Sequence, residues 1–366
     1  MSTVREAMIV AGGAGTRLQP LTATTPKPLL PFCGAPFLAG VIRRLAAIEI
    51  ERVLLVVGAD TGPFEALRPA AATLGVEIEM VPEPEPLDTA GGVRAALDRV
   101  SGTFLVLNGD ILTDIDLRIP IAAHQAAGAA ATLVLTRVAD TSTFGVCIRR
   151  GQQIVGFVEK PPPGSLPGQD AVNAGTYVLE PDAMARYPLG RLSFERDVFP
   201  GLVADGEHVE GVVGEGVWAD LGTPERFLEG HRLALDGQMA WPTLADVPPD
   251  ADGVRRAEDV EVAADATVHG PCLLLPGGRI GAGATVGPYA VLGPGTRVAA
   301  GATVRDCVLG AEVEVGTGAS LAAVLTGGGA AVGAHLVLHD VVLGDGAVLP
   351  AGDRVPAGAR VAGPGG

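Results

Sequence analysis

Aliphatic residues recur at every sixth position from Val262 to Val304 and continue, with slips of the frame, from Leu309 to Val361. This repeat constrains the fold more than any other feature of the chain. Small and polar residues separate them, often in a phrase such as Gly281-Ala282-Gly283-Ala284-Thr285. A six-residue period is typical of a β-helix, in which each aliphatic side chain points into a thin prism and glycines form the corners. A disordered Gly/Ala-rich tail would not place aliphatic residues periodically. The repeat comprises Val262, Val268, Leu274, Ile280, Val286, Leu292, Val298, Val304, Leu309, Val315, Leu321, Val332, Leu338, Leu343, Leu349, Val355 and Val361.

From residue 1 to about 235, short β-type runs alternate with amphipathic helical ones. This alternation predicts an α/β domain with a mostly parallel sheet covered on both faces, and ligands at the C-terminal ends of its strands. The predicted strands are Ala7–Ala11, Arg52–Val57, Val76–Val81, Thr103–Asn108 and Ala131–Val138, and the predicted helices are Phe37–Ile48, Thr89–Arg99 and Pro120–Ala127. We therefore predict an α/β domain at residues 1–236, a linker at 237–258 and a β-helix at 259–366.

Charge and cysteine content exclude several classes of protein. The net charge is −16 and no Lys/Arg block is present, which disfavours nucleic acid or an anionic membrane as partner. The four cysteines lie far apart without a C-x-x-C pair, so we expect a reduced compartment and no structural zinc. The N-terminus lacks a basic stretch and no apolar run has membrane length. These features predict a cytoplasmic protein.

Lysine is nearly absent. Of 26 Lys and Arg residues only Lys27 and Lys160 are lysines, and each stands directly before a proline. Lysine is a compact point charge on a flexible stem, whereas arginine is a planar fork. Two lysines in a chain that otherwise uses arginine indicate positions where one small cation follows a moving phosphate.

The first predicted strand runs into a glycine-rich stretch, Gly12-Gly13-Ala14-Gly15-Thr16-Arg17-Leu18. Such a turn lets backbone N–H groups approach phosphate oxygens. It fits neither of two better known loops. The dinucleotide fingerprint requires Gly or Ala where Leu18 stands, and the nucleotide-triphosphatase loop requires Gly-Lys where Thr16 and Arg17 stand.

Together with Pro20-Leu21-Thr22 and Pro26-Lys27-Pro28-Leu29, this stretch resembles the signature of the sugar-nucleotide pyrophosphorylases. The chain resembles most the mannose-1-phosphate guanylyltransferases that carry a C-terminal hexapeptide β-helix. Six later stretches agree in order and spacing: Leu107-Asn108-Gly109-Asp110, Phe144-Gly145-Val146, Phe157-Val158-Glu159-Lys160-Pro161, Asn173-Ala174-Gly175-Thr176-Tyr177, Ser193-Phe194-Glu195 with Phe199-Pro200, and Trp218-Ala219-Asp220-Leu221-Gly222-Thr223-Pro224. The resemblance implies a Rossmann-like nucleotidyltransferase domain, a left-handed parallel β-helix and a homo-oligomer.

The resemblance also implies the reaction and its residues. A sugar 1-phosphate would attack the α-phosphorus of a nucleoside triphosphate and release pyrophosphate, with Mg²⁺ and fixed cations offsetting the charge. Asp110 and Asp220 would bind Mg²⁺, for which carboxylates are suitable hard ligands. The implied catalytic residues are Arg17, Lys27, Asp110 and Asp220. The implied nucleotide-binding residues are Ala11, Gly12, Gly13, Gly15, Thr16, Arg17, Lys27, Glu83, Asp88, Thr89 and Gly109. The implied sugar-phosphate-binding residues are Gly145, Glu159, Lys160, Asn173 and Gly175.

The resemblance implies that the stretch from Glu83 to Gly91 contacts the nucleotide base. Guanine presents two adjacent donors that one carboxylate can accept, whereas thymine and uracil suit an amide. The stretch carries two glutamates, Glu83 and Glu85, and no glutamine, so GTP is favoured. Asp88 stands where the family usually has glycine.

Three other interpretations stay open from the sequence. The chain could be a thymidylyl-, uridylyl- or adenylyltransferase that acts on glucose 1-phosphate or a cyclitol phosphate. It could be a hexapeptide acyltransferase that uses His269, His335 or His339 of the repeat region. It could also be a non-catalytic regulatory homologue, although the charged positions that the resemblance implies are all present.

Overall fold

The computed structural model describes residues 4–142, 145–159, 161–166 and 168–364, with the backbone alone at residue 159. The chain divides into two compact units, each built from two stretches of sequence. Unit 1 comprises Met1–Gly13 and Val41–Trp218, and unit 2 comprises Ala14–Gly40 and Ala219–Gly366. No helix among the described residues is long and apolar enough to cross a membrane.

The elements up to residue 246 follow in chain order. The strands are β1 (Glu6–Val10), β2 (Pro31–Phe32), β3 (Ala35–Pro36), β4 (Arg52–Gly58), β5 (Glu77–Glu83), β6 (Phe104–Asn108), β7 (Ile111–Thr113), β8 (Ala131–Arg137), β9 (Gly145–Arg150), β10 (Gln153–Glu159), β11 (Ala171–Leu179), β12 (Val209–Val213) and β13 (Trp218–Asp220). The α-helices are α1 (Phe37–Ala46), α2 (Arg68–Thr73), α3 (Asp88–Ala95), α4 (Arg118–Ala127), α5 (Pro181–Ala185), α6 (Phe199–Ala204) and α7 (Pro224–Leu235). Short 3-10 helices span Thr16–Leu18, Leu21–Ala23, Lys27–Leu29, Gly62–Leu67, Leu97–Arg99 and Pro242–Asp246, and a π-helical turn spans Phe194–Val198.

Unit 1 is built on a sheet with the strand order β5-β4-β1-β6-β11-β8-β12-β10-β9. The pairs β5/β4, β4/β1, β1/β6 and β8/β12 are parallel. Strand β11 is antiparallel to both β6 and β8, and β9 and β10 form an antiparallel pair. The sheet is therefore mixed. Its continuous parallel part, β5-β4-β1-β6, consists of four of the predicted strands, whereas β12 was not predicted.

Continuous apolar runs explain why the parallel strands are buried on both faces. In β4 the side chains from Val53 to Val57 are fully buried. Helix α3 packs against β1, and α4 packs against β8 and β12. The five predicted strands agree with β1, β4, β5, β6 and β8 to within two residues at each end. The predicted α/β class is confirmed.

The repeat region of unit 2 is a parallel β-helix. Its strands are β14 (Val254–Arg256), β15 (Glu261–Val262), β16 (Thr267–Val268), β17 (Cys272–Leu274), β18 (Arg279–Ile280), β19 (Thr285–Val286), β20 (Ala290–Leu292), β21 (Arg297–Val298), β22 (Thr303–Arg305), β23 (Cys307–Leu309), β24 (Glu314–Val315), β25 (Ser320–Thr326), β26 (Ala331–Val332), β27 (Val337–Leu343), β28 (Val348–Leu349) and β29 (Arg360–Val361). Each strand pairs in parallel with the equivalent strand of the next coil, as β16 does with β19 and β19 with β22. Strand β14 lies entirely within residues 237–258, the segment predicted as a linker.

The predicted six-residue period marks the interior of the β-helix. The repeat residues from Leu274 to Leu349 are at most 5% exposed, and together they form one hydrophobic cluster. At the ends of the repeat, Val262, Val268, Val355 and Val361 are only partly buried, because a terminal coil has a neighbour on one side only.

One outer face of the β-helix is apolar and lies against residues 14–40 of the same unit. Its outward side chains are Leu273, Val291, Val308, Leu325 and Val342, all nearly fully buried. A cavity of about 330 Å³ lies between this face and the segment that contains Leu21, Leu29 and Leu30. Nearby, Phe32 contacts Phe37, Phe227, His231 and Trp241 at ring-centroid distances of 4.3 to 6.1 Å. The later part of the signature stretch, including Leu21 and Leu29, is therefore packed on the solenoid.

Candidate active site

The glycine-rich turn leaves β1 with glycines at positions where a side chain does not fit. A Cβ atom at Gly12 would lie 2.8 Å from Oε2 of Glu83. In unit 2, Gly15 has a φ of 60°, in the left-handed region that glycine favours, and a Cβ atom there would lie 3.0 Å from Lys27 Cβ. These close approaches therefore favour glycine at positions 12 and 15 of the signature.

The flanking residues of this turn are held by main-chain hydrogen bonds. In unit 1 the N–H group of Ala11 donates to the carbonyl of Val56 at 2.7 Å. In unit 2 the carbonyl of Thr16 accepts from Gln19 N at 3.2 Å, which closes the 3-10 helix Thr16–Leu18. Gly13 has open space around its Cα atom.

Glu83 ends β5, and its carboxylate is buried in unit 1. It is 8% exposed, and Gly92 of α3 passes so close that a Cβ atom there would lie 2.2 Å from Oε1. Oε1 is buried and has no hydrogen-bond partner in the part of the chain that the structure describes. Burial raises the pKa of the Glu83 carboxyl to about 6. A buried acceptor without a partner is costly in free energy, and a ligand that brings donors removes that cost.

The structure separates the two glutamates that the sequence left equivalent. Glu85 is exposed two residues after the buried Glu83, because the strand ends between them and the chain turns towards α3. Of the two glutamates, only Glu83 is buried.

Asp88 begins α3 with a φ of 67°, the left-handed conformation that glycine adopts most easily. Its Oδ1 accepts from the N–H group of Thr89 at 2.9 Å. Its Oδ2 accepts from Arg196 Nη2 at 2.5 Å, and Arg191 Nη2 lies 4.0 Å away. The chain therefore carries an aspartate in a glycine-type conformation, fixed by local hydrogen bonds and an ion pair.

Glu195 joins the predicted nucleotide-binding and sugar-binding residues of unit 1. Its Oε2 accepts from Thr89 Oγ1 at 2.9 Å and from Ser193 Oγ at 3.0 Å. Its Oε1 faces Tyr177 OH at 3.4 Å and Asn173 Nδ2 at 3.5 Å. The sequence included Glu195 in a matching stretch but gave it no role. Its position in the sequence could not show which side chains Glu195 contacts in the fold.

Asn173 and Gly175 lie together on β11. The N–H group of Gly175 donates to Asn173 Oδ1 at 2.9 Å, and Gly175 has a φ of 72°. A Cβ atom at Gly175 would lie 2.6 Å from Asn108 Nδ2 at the end of β6. Glycine is therefore required where β11 lies alongside the end of its antiparallel neighbour β6.

Two further predicted sugar-binding residues begin and end neighbouring strands. Gly145 starts β9 and pairs in register with residue Glu159 at the end of β10. Val146, the next residue, pairs with Val172 on β11, beside Asn173. The structure thus brings these backbone positions together in unit 1. Lys160 and Phe144 lie outside the described residues.

Asp110 lies in the turn between β6 and β7. The preceding Gly109 donates its N–H to the carbonyl of Val10 at 2.8 Å, and a Cβ atom on it would lie 2.9 Å from that carbonyl oxygen. This contact ties the turn to the end of β1 within unit 1. Asp110 itself is half-buried.

In unit 2, three cationic side chains surround Asp220. Arg226 Nη1 donates to Oδ2 at 2.8 Å, Lys27 Nζ lies 3.7 Å from Oδ1, and Arg17 Nη2 lies 4.0 Å from Oδ2. The Lys27 side chain is only 9% exposed. A Cβ atom at Gly222 would lie 2.6 Å from Arg17 Nη2, so glycine leaves room for the guanidinium. The arrangement places three positive charges where a polyanion can bind.

Arg226 was not predicted from the sequence. It lies in the first turn of α7, whose N-terminus is capped by Thr223 Oγ1 accepting from Arg226 N at 3.4 Å. The Thr223-Pro224 pair is typical of a helix N-terminus, because proline is favoured at the first helical position. It could not show that the third helical residue turns back to Asp220.

The chemistry of the two predicted metal ligands fits a hard divalent cation. Asp110 and Asp220 offer carboxylate oxygens, the ligands that Mg²⁺ prefers, and two carboxylates leave positions for phosphate and water. Oδ1 of Asp220 is beyond hydrogen-bonding distance of Lys27 Nζ, so it can act as a ligand. Within the described ranges, no group of three or more His, Cys, Asp or Glu side chains is placed to hold a metal.

Comparison with known proteins places this geometry in context. A family model described as nucleotidyl transferase matches residues 6–237. The chain is 38% identical over 280 residues to a mannose-1-phosphate guanylyltransferase of Mycobacterium tuberculosis, covering 75% of this chain and 74% of that protein. It is 36% identical over 241 residues to probable mannose-1-phosphate guanylyltransferase 2 of Arabidopsis thaliana, covering 63% of this chain and 65% of that protein, just under two thirds of its length.

Solved structures agree with the fold. The crystal structure of HddC from Yersinia pseudotuberculosis is similar with a TM-score of 0.54 at 25% identity, over 62% of this chain and 98% of that one. HddC complexed with GMP-PN is similar with a TM-score of 0.53.

Proposed function

Because the chain belongs to the nucleotidyl transferase family, we propose that it transfers GMP from GTP to mannose 1-phosphate, forming GDP-mannose and releasing pyrophosphate. The observation that carries the choice of base is the buried Oε1 of Glu83, which has no partner among the described residues. The names of the relatives at 34 to 38% identity support the same pair of substrates.

Glu83 would read the guanine base. A carboxylate accepts both the ring N–H and the exocyclic amine of guanine, and the pair of hydrogen bonds would satisfy the oxygen that is otherwise buried alone. Uracil and thymine offer one donor between two acceptors, so they would leave part of the carboxylate unpaired and face it with their own acceptors. The closeness of Gly12 and Gly92 to Glu83 supports a narrow, preformed binding position.

The transfer step needs no covalent protein intermediate. A phosphate oxygen of the sugar 1-phosphate forms a bond to the α-phosphorus, and the bond from that phosphorus to the bridging oxygen breaks. Pyrophosphate leaves with the electron pair of that bond. We propose that Arg17 binds the β- and γ-phosphates and that Lys27 neutralises charge near the reacting phosphorus, because preorganised cations act most where charge develops.

A bound Mg²⁺ would polarise the phosphate oxygens and offset their charge. We propose Asp110 and Asp220 as its ligands. Family members of this kind generally use a divalent metal, and the hard oxygens of both residues support magnesium. Arg226 would orient the Asp220 carboxylate through its 2.8 Å hydrogen bond.

For the sugar phosphate we propose Asn173, Gly145, Gly175 and Glu159 as contacts of the sugar hydroxyls and Lys160 as the cation that binds its phosphate. The grouping of the backbone at the first four positions supports this role.

Two properties complete the proposal. All four cysteines are free and buried, which supports a reducing, cytoplasmic location. Val337 and Val348 of the β-helix are 73% and 64% exposed, which supports self-association into a homo-oligomer through that domain.

A pyrophosphate-release assay tests the function. The protein is incubated with Mg²⁺, five nucleoside triphosphates and several sugar 1-phosphates, and GTP with mannose 1-phosphate should give the highest kcat/KM. Asp220→Asn and chelation of the metal should each abolish release. Faster release with another pair would correct the substrates, and no release with any pair would contradict the proposed function.

A further inference from the structure

The last coil of the β-helix contacts the segment that follows the glycine-rich turn. Nη1 of Arg360, on β29, donates to the carbonyl of Arg17 at 2.6 Å and to the carbonyl of Gln19 at 2.7 Å. All of these residues belong to unit 2. A residue near the end of the chain therefore holds the main chain of a residue placed next to Asp220.

The two carbonyls need donors for a local reason. The 3-10 helix Thr16–Leu18 is a single turn, closed by Leu18 N to Gly15 O and Gln19 N to Thr16 O. Carbonyls at a helix C-terminus have no intrahelical donor, and a guanidinium is a suitable cation there. The two N–H groups on one guanidinium nitrogen serve two acceptors at once.

Two further contacts hold the same segment on the solenoid. Thr24 Oγ1 donates to Asp345 Oδ2, while Asp345 Oδ1 accepts from Gly328 N at 2.6 Å. Pro20 packs on Gly344, where a Cβ atom would lie 3.2 Å from Pro20 Cβ. Residues 17–24 are thus attached to the last coils at three points.

The support for Arg360 is itself part of the β-helix ladder. Arg360 and Val361 pair with Val342 and Leu343 of β27, and Gly344 N donates to Val361 O at 2.8 Å. The carbonyl of Arg17 is therefore fixed to a regular element. The guanidinium of the same residue lies 4.0 Å from Asp220 Oδ2.

We propose that Arg360 is a positioning residue of the nucleotidyl transfer. It holds the main chain of Arg17 so that the Arg17 side chain meets the triphosphate and the departing pyrophosphate. This inference rests on the proposed function, and it gives the C-terminal coil a part in catalysis through Arg17, without contact between Arg360 and substrate.

The test compares Arg360→Ala and Arg360→Lys with the control Arg297→Ala. Arg297 is an exposed arginine on another face of the same β-helix, where it pairs with Glu314 at 3.1 Å. Arg360→Ala should raise the KM for GTP, and for pyrophosphate in the reverse reaction, about five- to tenfold, the loss expected for hydrogen bonds from a charged donor. The KM for mannose 1-phosphate should stay within about twofold. Arg360→Lys should recover part of the loss.

Two further measurements keep the inference separate from the function. The unfolding temperature of Arg360→Ala should stay within about 3 °C of the parent, because the contact is exposed. Calorimetric titration with Mg²⁺ and GTP measures triphosphate binding without turnover, and Arg360→Ala should weaken it by the same factor as KM.

Unchanged GTP binding in Arg360→Ala would overturn the inference, and so would an equal rise in KM for both substrates. If the parent protein binds GTP but releases no pyrophosphate with any substrate pair, the proposed reaction fails, while the calorimetric comparison still decides the role of Arg360.

Discussion

Units 1 and 2 hold their predicted active-site residues in opposite electrostatic surroundings. In unit 1, Glu83 is a buried carboxylate whose pKa is raised to about 6 and whose Oε1 has no partner among the described residues. In unit 2, the carboxylate of Asp220 lies among Arg17, Lys27 and Arg226. An unsatisfied acceptor selects a ligand by its donors, whereas a group of cations neutralises any polyanion. Substitution of Glu83 should therefore change specificity, and substitution of Lys27 beside Asp220 should change rate.

The largest expected effect tests the unit 2 side of this comparison. Lys27→Met keeps the buried stem and removes the ammonium beside Asp220, so kcat should fall about 100- to 1000-fold, as for other lost preorganised charges. Rapid measurement of pyrophosphate release at saturating substrates gives kcat. Arg279→Ala on the solenoid, which removes an exposed cation, is the control. A kcat within threefold of the parent would remove Lys27 from the catalytic step.

The next effect tests the unit 1 side. Glu83→Gln preserves shape but offers guanine one acceptor and one misplaced donor, so kcat/KM for GTP should fall about 30- to 100-fold, from about 2 to 3 kcal/mol of lost recognition. The same parameter for UTP should change less than threefold. Glu85→Gln is the matched control, because Glu85 is exposed. Equal losses for all triphosphates would assign Glu83 to structure instead of base recognition.

The raised pKa of Glu83 predicts that the KM for GTP changes about tenfold between pH 7 and pH 5. The folded-state value of about 6 means that the carboxyl gains a proton as the pH falls through 6, and the neutral form cannot accept both guanine donors. The KM for GTP should therefore rise about tenfold between pH 7 and pH 5, with no such rise in Glu83→Gln. Because the folded-state pKa is raised, the same group stabilises the fold as the pH falls from about 6 to 4.5. A parallel KM profile in both proteins would contradict the assignment.

The smallest effect concerns the residue that departs from the family pattern. Asp88→Gly relieves a left-handed backbone at a non-glycine residue but removes the ion pair with Arg196. Each contribution is about 1 kcal/mol or less, and they oppose each other, so the unfolding temperature should move by less than about 3 °C. Differential scanning calorimetry measures this. A larger fall would show that the Asp88 carboxylate anchors α3.

The fold was predictable from sequence where each residue follows a local rule. In the β-helix every coil repeats the same inward position, so Leu274 to Leu349 could be assigned to the core before their contacts were known. In the sheet of unit 1 the apolar runs predicted single strands but not their order. Strand β11 lies antiparallel between β6 and β8 because of pairings between distant segments, which no local pattern specifies.

The candidate site likewise contains residues that the sequence predicted and contacts that it could not predict. The sequence predicted Glu83, Lys27 and Asp220 as site residues, and the structure places Lys27 beside Asp220. The clustering of Arg226 with Asp220 and the four contacts of Glu195 depend on side chains meeting across the fold. The distinction between Glu83 and Glu85 likewise depends on burial, which a two-residue spacing cannot reveal.

Residues 14–40 pack along several successive coils of the β-helix. Near one end Gly34 approaches Leu275 so closely that a Cβ atom would lie 3.0 Å from it, and near the other end Pro20 meets Gly344. Insertion or deletion of one coil would move these two anchors by about 4.8 Å relative to each other. Many repeat proteins gain and lose units during evolution with little penalty. In this chain several coils contact residues 14–40. Duplication of a repeat would therefore displace the segment that carries Arg17 and Lys27, more than 200 residues earlier in the sequence.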